Sequence, residues 1–166
     1  MRIGLVLSGG GARSFAQIGA LLALDDYGAE VAAIAATSTG AVLAALYAAG
    51  NSARAVQDIV RGIDYTSFLD PNGEGGLIGH RGVEALLAAH APETFEELSI
   101  PLAVPTTDIQ NARQLVYRSG PLRPPVCASN AFPGLFVPVA FDGRFLMDGG
   151  ILNDVPLDLI GTLTTA

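Results

Sequence analysis

The 166-residue sequence has no lysine and no tryptophan, one cysteine and two histidines. The lone Cys127 excludes an internal disulfide and a cysteine-based metal cage. His80 and His90 stand in no metal-ligand spacing, so no metal and no other cofactor is expected. Nine arginines are the whole basic complement against sixteen acidic residues, a net charge of -7. That balance excludes a phosphate-backbone binder, which needs clustered positive charge, so no nucleic-acid partner is expected. It equally excludes electrostatic docking on anionic lipid, leaving only peripheral, apolar and local membrane contact. The longest unbroken apolar run, Ala41 to Ala49, is far short of the roughly 20 residues a membrane span needs. Near the N-terminus, Ile3 to Leu7 is too short for a secretory core and breaks into glycines, so the cytosol is the simplest compartment.

What is present describes a globular chain. Half of the residues are apolar and 15% are charged, which rules out disorder, and the length suits one domain spanning 1–166. Arg2 to Leu7 reads as a buried strand, followed by a Ser8-Gly9-Gly10-Gly11 turn. A helix carrying Phe15, Ile18 and Leu22 then runs to a stop at Gly28. Val31 to Ala36 is a second buried strand, followed by a helix with Val42, Leu43, Leu46 and Tyr47 that Gly50 ends. Asn51 or Ser52 caps the next helix. Asp64 to Gly79 reads as a loop suited to cover a site. Val83, Leu86, Leu87 and His90 form one helix face, and Thr94 to Glu97 has the capping-box pattern. Leu102 to Thr106 and Gln114 to Arg118 read as strands. Pro121 to Pro133 reads as a helix interrupted by Pro124 and Pro125. Val137 to Met147 reads as a hairpin turning on Asp142-Gly143. Alternating strands and helices indicate an α/β fold with a mostly parallel central sheet, and chemistry in such sheets gathers where strands end and helices begin.

Three strand ends are rich in glycine. Ser38 lies in Ala36-Thr37-Ser38-Thr39-Gly40 between a buried strand and an Ala-rich helix. A sharp strand-to-helix turn pushes its central residue outward and needs small residues two positions either side, here Ala36 and Gly40. On this segment alone, nucleophile and helix cap both stay open. Gly9-Gly10-Gly11-Ala12-Arg13 can aim several backbone N–H groups one way, forming a nest for a phosphate or an oxyanion. Arg13 adds charge to that nest or braces it. A nucleotide site is the weaker option: Ser14 stands where a third glycine is needed, no acid ends the second strand, and no Gly-Lys-Ser/Thr occurs. Asp148-Gly149-Gly150 follows an apolar strand, so the acid can be desolvated and made more basic, although an isolated Asp-Gly is commonly only a turn. Together the three segments supply nucleophile, oxyanion donors and base. Neither histidine completes a triad. His90 reads as structural or capping, and His80 as a surface residue at the start of its helix.

These segments, in this order, resemble the patatin-like phospholipase family. Ser129-Asn130-Ala131-Phe132-Pro133-Gly134 and Asn153-Asp154-Val155-Pro156 extend the resemblance over nearly the whole chain. The resemblance implies a three-layer α/β/α fold and a Ser-Asp dyad in which Ser38 is the nucleophile and Asp148 the base. It places the oxyanion hole in Gly9, Gly10, Gly11, Ala12 and Arg13, with Ala36, Gly40, Gly149 and Gly150 in support. It further implies cleavage of acyl esters of phospholipids or neutral lipids without a metal. Three departures stand out: Ala36 where the elbow motif begins with Gly, Ser14 where the glycine motif ends with Gly, and an early end after Pro156. The last implies either a piece of a longer domain or a sheet lacking an edge. The alternative function is a non-catalytic lipid-binding or regulatory protein on the same fold. The sequence leaves head group, acyl length and oligomeric state open.

Overall fold

The computed structural model describes residues 1–64, 66, 79–161 and 163. The expected cover loop falls largely on residues 65 and 67–78, outside the described residues. Six strands form one mixed sheet: β1 (Arg2–Leu7), β2 (Glu30–Ala36), β3 (Leu102–Asp108), β4 (Arg113–Tyr117), β5 (Val139–Phe141) and β6 (Arg144–Asp148). The central path runs β1-β2-β3-β6-β5, with β4 also paired to β3. The β1–β2–β3 run is parallel, and β4, β6 and β5 add antiparallel pairings beyond it. β4 and β6 both pair with residues 106–108, so they flank opposite edges of the same stretch of β3.

The helices are α1 (Gln17–Tyr27), α2 (Thr39–Ala48), α3 (Ala53–Arg61), α4 (Arg81–His90), α5 (Arg123–Ser129) and α6 (Leu157–Ile160). Nine of the ten α2 residues, Gly40 to Ala48, are buried. A helix apolar on every side has no solvent face to offer, and α2 accordingly sits in the middle of the main core. That core lies on the side of the sheet that takes Leu7, Ile34 and Ala36. The alternate residues Val6, Ala35 and Ala103 pack the opposite side, where α6 covers them through Leu159 and Ile160. Among the described residues the second helical layer is thus α6 alone.

Local chemistry explains the boundaries. Gly28 ends α1 in the left-handed conformation, and the Ser52 hydroxyl caps α3 by accepting from the Ala55 amide. Thr94 and Glu97 form a capping box over a short 3-10 turn. Asp142 and Gly143 both have positive φ, as the tight β5–β6 turn requires.

Four expectations need correction. β1 is only half buried, with Leu7 its one fully buried residue, because it pairs on one side only. Pro124 and Pro125 do not interrupt α5; they occupy its first turn, where the missing N–H groups would have had no helical partner. His90 is exposed at the end of α4 and contributes nothing to its buried face. His80 is half-buried, its Nε2 2.8 Å from the Val137 carbonyl oxygen and its ring stacked on Phe136.

Candidate active site

The end of β2 turns sharply into α2 at Ser38, whose φ of 56° and ψ of -135° lie in a region that side chains rarely adopt. The turn is held from several directions. The Thr37 amide donates to the Leu7 carbonyl, the Thr37 hydroxyl to the Asn153 carbonyl, and the Ser38 amide to Ser129 Oγ at 3.0 Å. Small neighbours let the elbow pack tightly: Ala36 is fully buried, and a side-chain carbon on Gly40 would collide with the Ser8 and Leu7 carbonyls. The Ser38 hydroxyl makes no cap bond to α2. It donates instead to Asp148 Oδ2 at 2.6 Å, across 110 positions of sequence.

Asp148 ends β6 opposite Thr106 of β3, and only 2% of it is exposed. Its main chain is fixed by its own amide donating to the Ala131 carbonyl and by the Thr107 hydroxyl donating to its carbonyl. Its Oδ1 accepts from the Gly150 amide at 2.7 Å. Burial pushes the Asp148 carboxyl above its ordinary value of 3.8, the Ser38 and Gly150 donors pull it back, and the nearby Asp154 charge raises it further. Gly149 has no room for a side chain because the Pro105 carbonyl fills that space. Gly150 is similarly crowded by the carboxylates of Asp148 and Asp154.

The glycine loop follows β1. Gly10 and Gly11 take positive φ, and a 3-10 turn over Gly11–Ala16 leads into α1. The amides of Gly10, Gly11 and Ala12 have no acceptor among the described residues. Gly9 and Arg13 differ from expectation as donors. The Gly9 amide is engaged by the Asp154 carbonyl, while the Arg13 amide and Nε both turn back to the Gly10 carbonyl. Gly9 contributes space, since a side chain there would strike the Asp154 carboxylate and press on Ser38 Cβ at 3.0 Å. Arg13 braces the loop. Ser14, in place of the motif's last glycine, is buried with its hydroxyl toward the Ser8 carbonyl.

Sequence reasoning missed three contributors. Gln17 clamps Ser8 from both sides, accepting from its amide and donating to its carbonyl. Ser129, at the end of α5, accepts from the Ser38 amide. Asp154 ties the segment after the aspartate to the glycine loop. Among the described residues, no group of three or more His, Cys, Asp or Glu side chains gathers to hold a metal ion. No described helix is long and apolar enough to cross a membrane.

Comparison with known proteins places the chain in a family. The family model for patatin-like phospholipase matches residues 5–160. An uncharacterized NTE family protein of Mycobacterium tuberculosis is 34% identical over 166 residues, covering 94% of this chain and 44% of that protein. Patatin-like phospholipase domain-containing protein 6 of Mus musculus is 34% identical over 167 residues, covering 95% of this chain and 12% of that protein. The chain therefore spans less than half the length of either relative. Among solved structures, VipD from Legionella pneumophila superposes with a TM-score of 0.77 at 20% identity, over 92% of this chain and 46% of that one. The type III effector protein ExoU gives 0.57 at 19% identity, over 78% and 40%. At such identity these two likenesses establish the α/β fold alone, whereas the family match extends over nearly the whole sequence: the chain belongs to the patatin-like phospholipase family.

Proposed function

We propose that the chain is a serine acyl hydrolase that cleaves carboxylic ester bonds of lipids through a Ser38–Asp148 dyad. The observation that carries this reading is the 2.6 Å hydrogen bond from Ser38 Oγ to Asp148 Oδ2, at a strained elbow beside unpaired loop amides. Family membership supports the lipid hydrolase class.

In this mechanism Asp148 takes the proton from Ser38 Oγ as that oxygen attacks the ester carbonyl. Burial suits Asp148 to the task, because a carboxylate with raised proton affinity is a stronger base. The negative charge that develops on the carbonyl oxygen falls to the amides of Gly10, Gly11 and Ala12. Such a donor contributes about 3 kcal/mol to the transition state. The intermediate collapses, the alcohol leaves with the proton from Asp148, and the acyl group stays on Ser38. Water then attacks the acyl-serine, giving one proton to Asp148. Asp148 returns that proton to Ser38 Oγ as the acid departs. No histidine enters the scheme: His90 is exposed on α4, and His80 is held by Val137 and Phe136.

The test is a panel of lipid and soluble esters assayed with the wild type and with Ser38→Ala. Loss of turnover on every ester in the variant is the expected result, and undiminished turnover refutes the assignment.

A further inference from the structure

Asp154 stands apart from the other acids near the dyad. Its carboxylate lies where side chains on Gly9 and Gly150 would sit, with Oδ1 3.0 Å from the position a Gly150 Cβ would take. A methyl group on Gly9 would meet both this carboxylate and, at 3.0 Å, the Ser38 Cβ. The donors around it are spent elsewhere. The Gly9 amide goes to the Asp154 main-chain carbonyl, the Gly150 amide to Asp148, and the Asn153 side chain to Asp158. Arg13, the charged residue of the glycine loop, directs its Nε to the Gly10 carbonyl and forms no ion pair with Asp154. Asp108 is neutralised at a distance by Arg113 and Arg144. A negative charge with no ion-pair partner among the described residues therefore lies close to Ser38. Its field also reaches the base, since Asp154 is the charged group that acts on Asp148.

We propose that the Asp154 carboxylate is a specificity-determining group, a fixed negative charge beside the Gly9 loop that selects esters uncharged at their reacting end and rejects those carrying an anion close to the scissile bond. This inference rests on the acyl-hydrolase reading and deepens it by naming the electrostatic class of substrate. The energy is modest because Asp154 is exposed and water screens it. At a few ångströms in high dielectric, like charges differ by about five-fold in rate or affinity.

The test uses two pairs of soluble esters matched in size. One pair is para-nitrophenyl valerate and para-nitrophenyl hemiglutarate, which differ by a carboxylate at the end of the acyl chain. The other is para-carbamoylphenyl and para-carboxyphenyl butyrate, which differ on the alcohol side. Each is assayed at low salt with the wild type, Asp154→Asn and Ser38→Ala. Asp154→Asn keeps the main-chain carbonyl that holds Gly9, so the loop stays tied. In at least one pair, the wild type should prefer the neutral ester, and the variant should raise kcat/KM for the anionic ester about five-fold relative to its neutral partner. The acid limb of the variant's pH–rate profile should also move to lower pH, because a charge that raised the Asp148 pKa is gone. Salt should erode the wild-type preference and leave the variant unchanged, a comparison that needs only the wild type if the variant folds poorly. A preference identical in both proteins, or one indifferent to salt in the wild type, overturns the proposal. Full turnover by Ser38→Ala instead overturns the acyl-hydrolase reading beneath it.

Discussion

Gly40→Ala adds one methyl group at a point of the site that has no room for it. A side-chain carbon at Gly40 collides with the Ser8 carbonyl oxygen and sits 2.9 Å from the Leu7 carbonyl oxygen and 3.1 Å from the Leu7 carbonyl carbon. All three atoms are backbone, so no flexible side chain can give way. Either the start of α2 withdraws from the end of β1, or β1 and the glycine loop shift. Both movements separate Ser38 from the loop amides. Overpacking of this kind costs about 1–3 kcal/mol, a fall in Tm of roughly 3–10 °C for a chain of this size. Misplacing reacting groups by about 1 Å costs about 100-fold in rate. Gly19 is the control: nothing lies within 4 Å of a side chain there, and within the first turn of α1 an alanine gains at most about 0.5–1 kcal/mol. Thermal melts and ester kinetics on the two variants read both effects. A Gly40→Ala protein that melts with the wild type and keeps its kcat would refute the tight-elbow account.

Asp148→Asn should separate stability from activity. Because burial raises the folded-state pKa above 3.8, the stability linked to Asp148 is greatest below that pH and is lost as pH rises through the elevated value. Removing the charge should therefore raise Tm at pH 7, an advantage that vanishes below pH 3.8 in calorimetry, while ester turnover falls by about 1000-fold. Gln17→Ala removes both bonds that clamp Ser8, each worth about 1 kcal/mol; denaturant titration should register the loss, and kcat should fall more than KM rises. Asp108 behaves oppositely to Asp148. Asn111, then Arg144, hold it down to about 2, so its stability is present above 3.8 and lost as pH falls through about 2. Asp108→Asn should flatten the acid-unfolding curve across that window.

The sequence made the strand ends legible because backbone demands leave a mark in residue size. Gly40, Gly149 and Gly10 are small for reasons the structure states as contacts or as positive φ. The Ala-rich stretch after Ser38 reads as a helix, and α2 is one. What stayed hidden depends on three-dimensional return of the chain. Gln17 looks like an ordinary polar residue on a helix, and only the 3-10 turn before it brings its amide back to Ser8. The antiparallel flank of the sheet arises because β4 and β6 pair with opposite edges of residues 106–108 of β3, a long-range arrangement that no local pattern records. Prolines at 124 and 125 mislead because the same residue that breaks a helix interior is at home in its first turn. The glycine loop shows in sequence that several amides can point one way but not which ones stay free: bonds to Asp154 and to Gly10 itself use up the Gly9 and Arg13 amides.

Active-site labelling with a fluorophosphonate, read by peptide mass spectrometry, tests the central claim most directly. The account predicts one covalent adduct on Ser38, none in Ser38→Ala, and greatly slowed labelling in Asp148→Asn. An adduct on Ser8, Ser14 or Ser129, or unchanged labelling of Ser38→Ala, would contradict it.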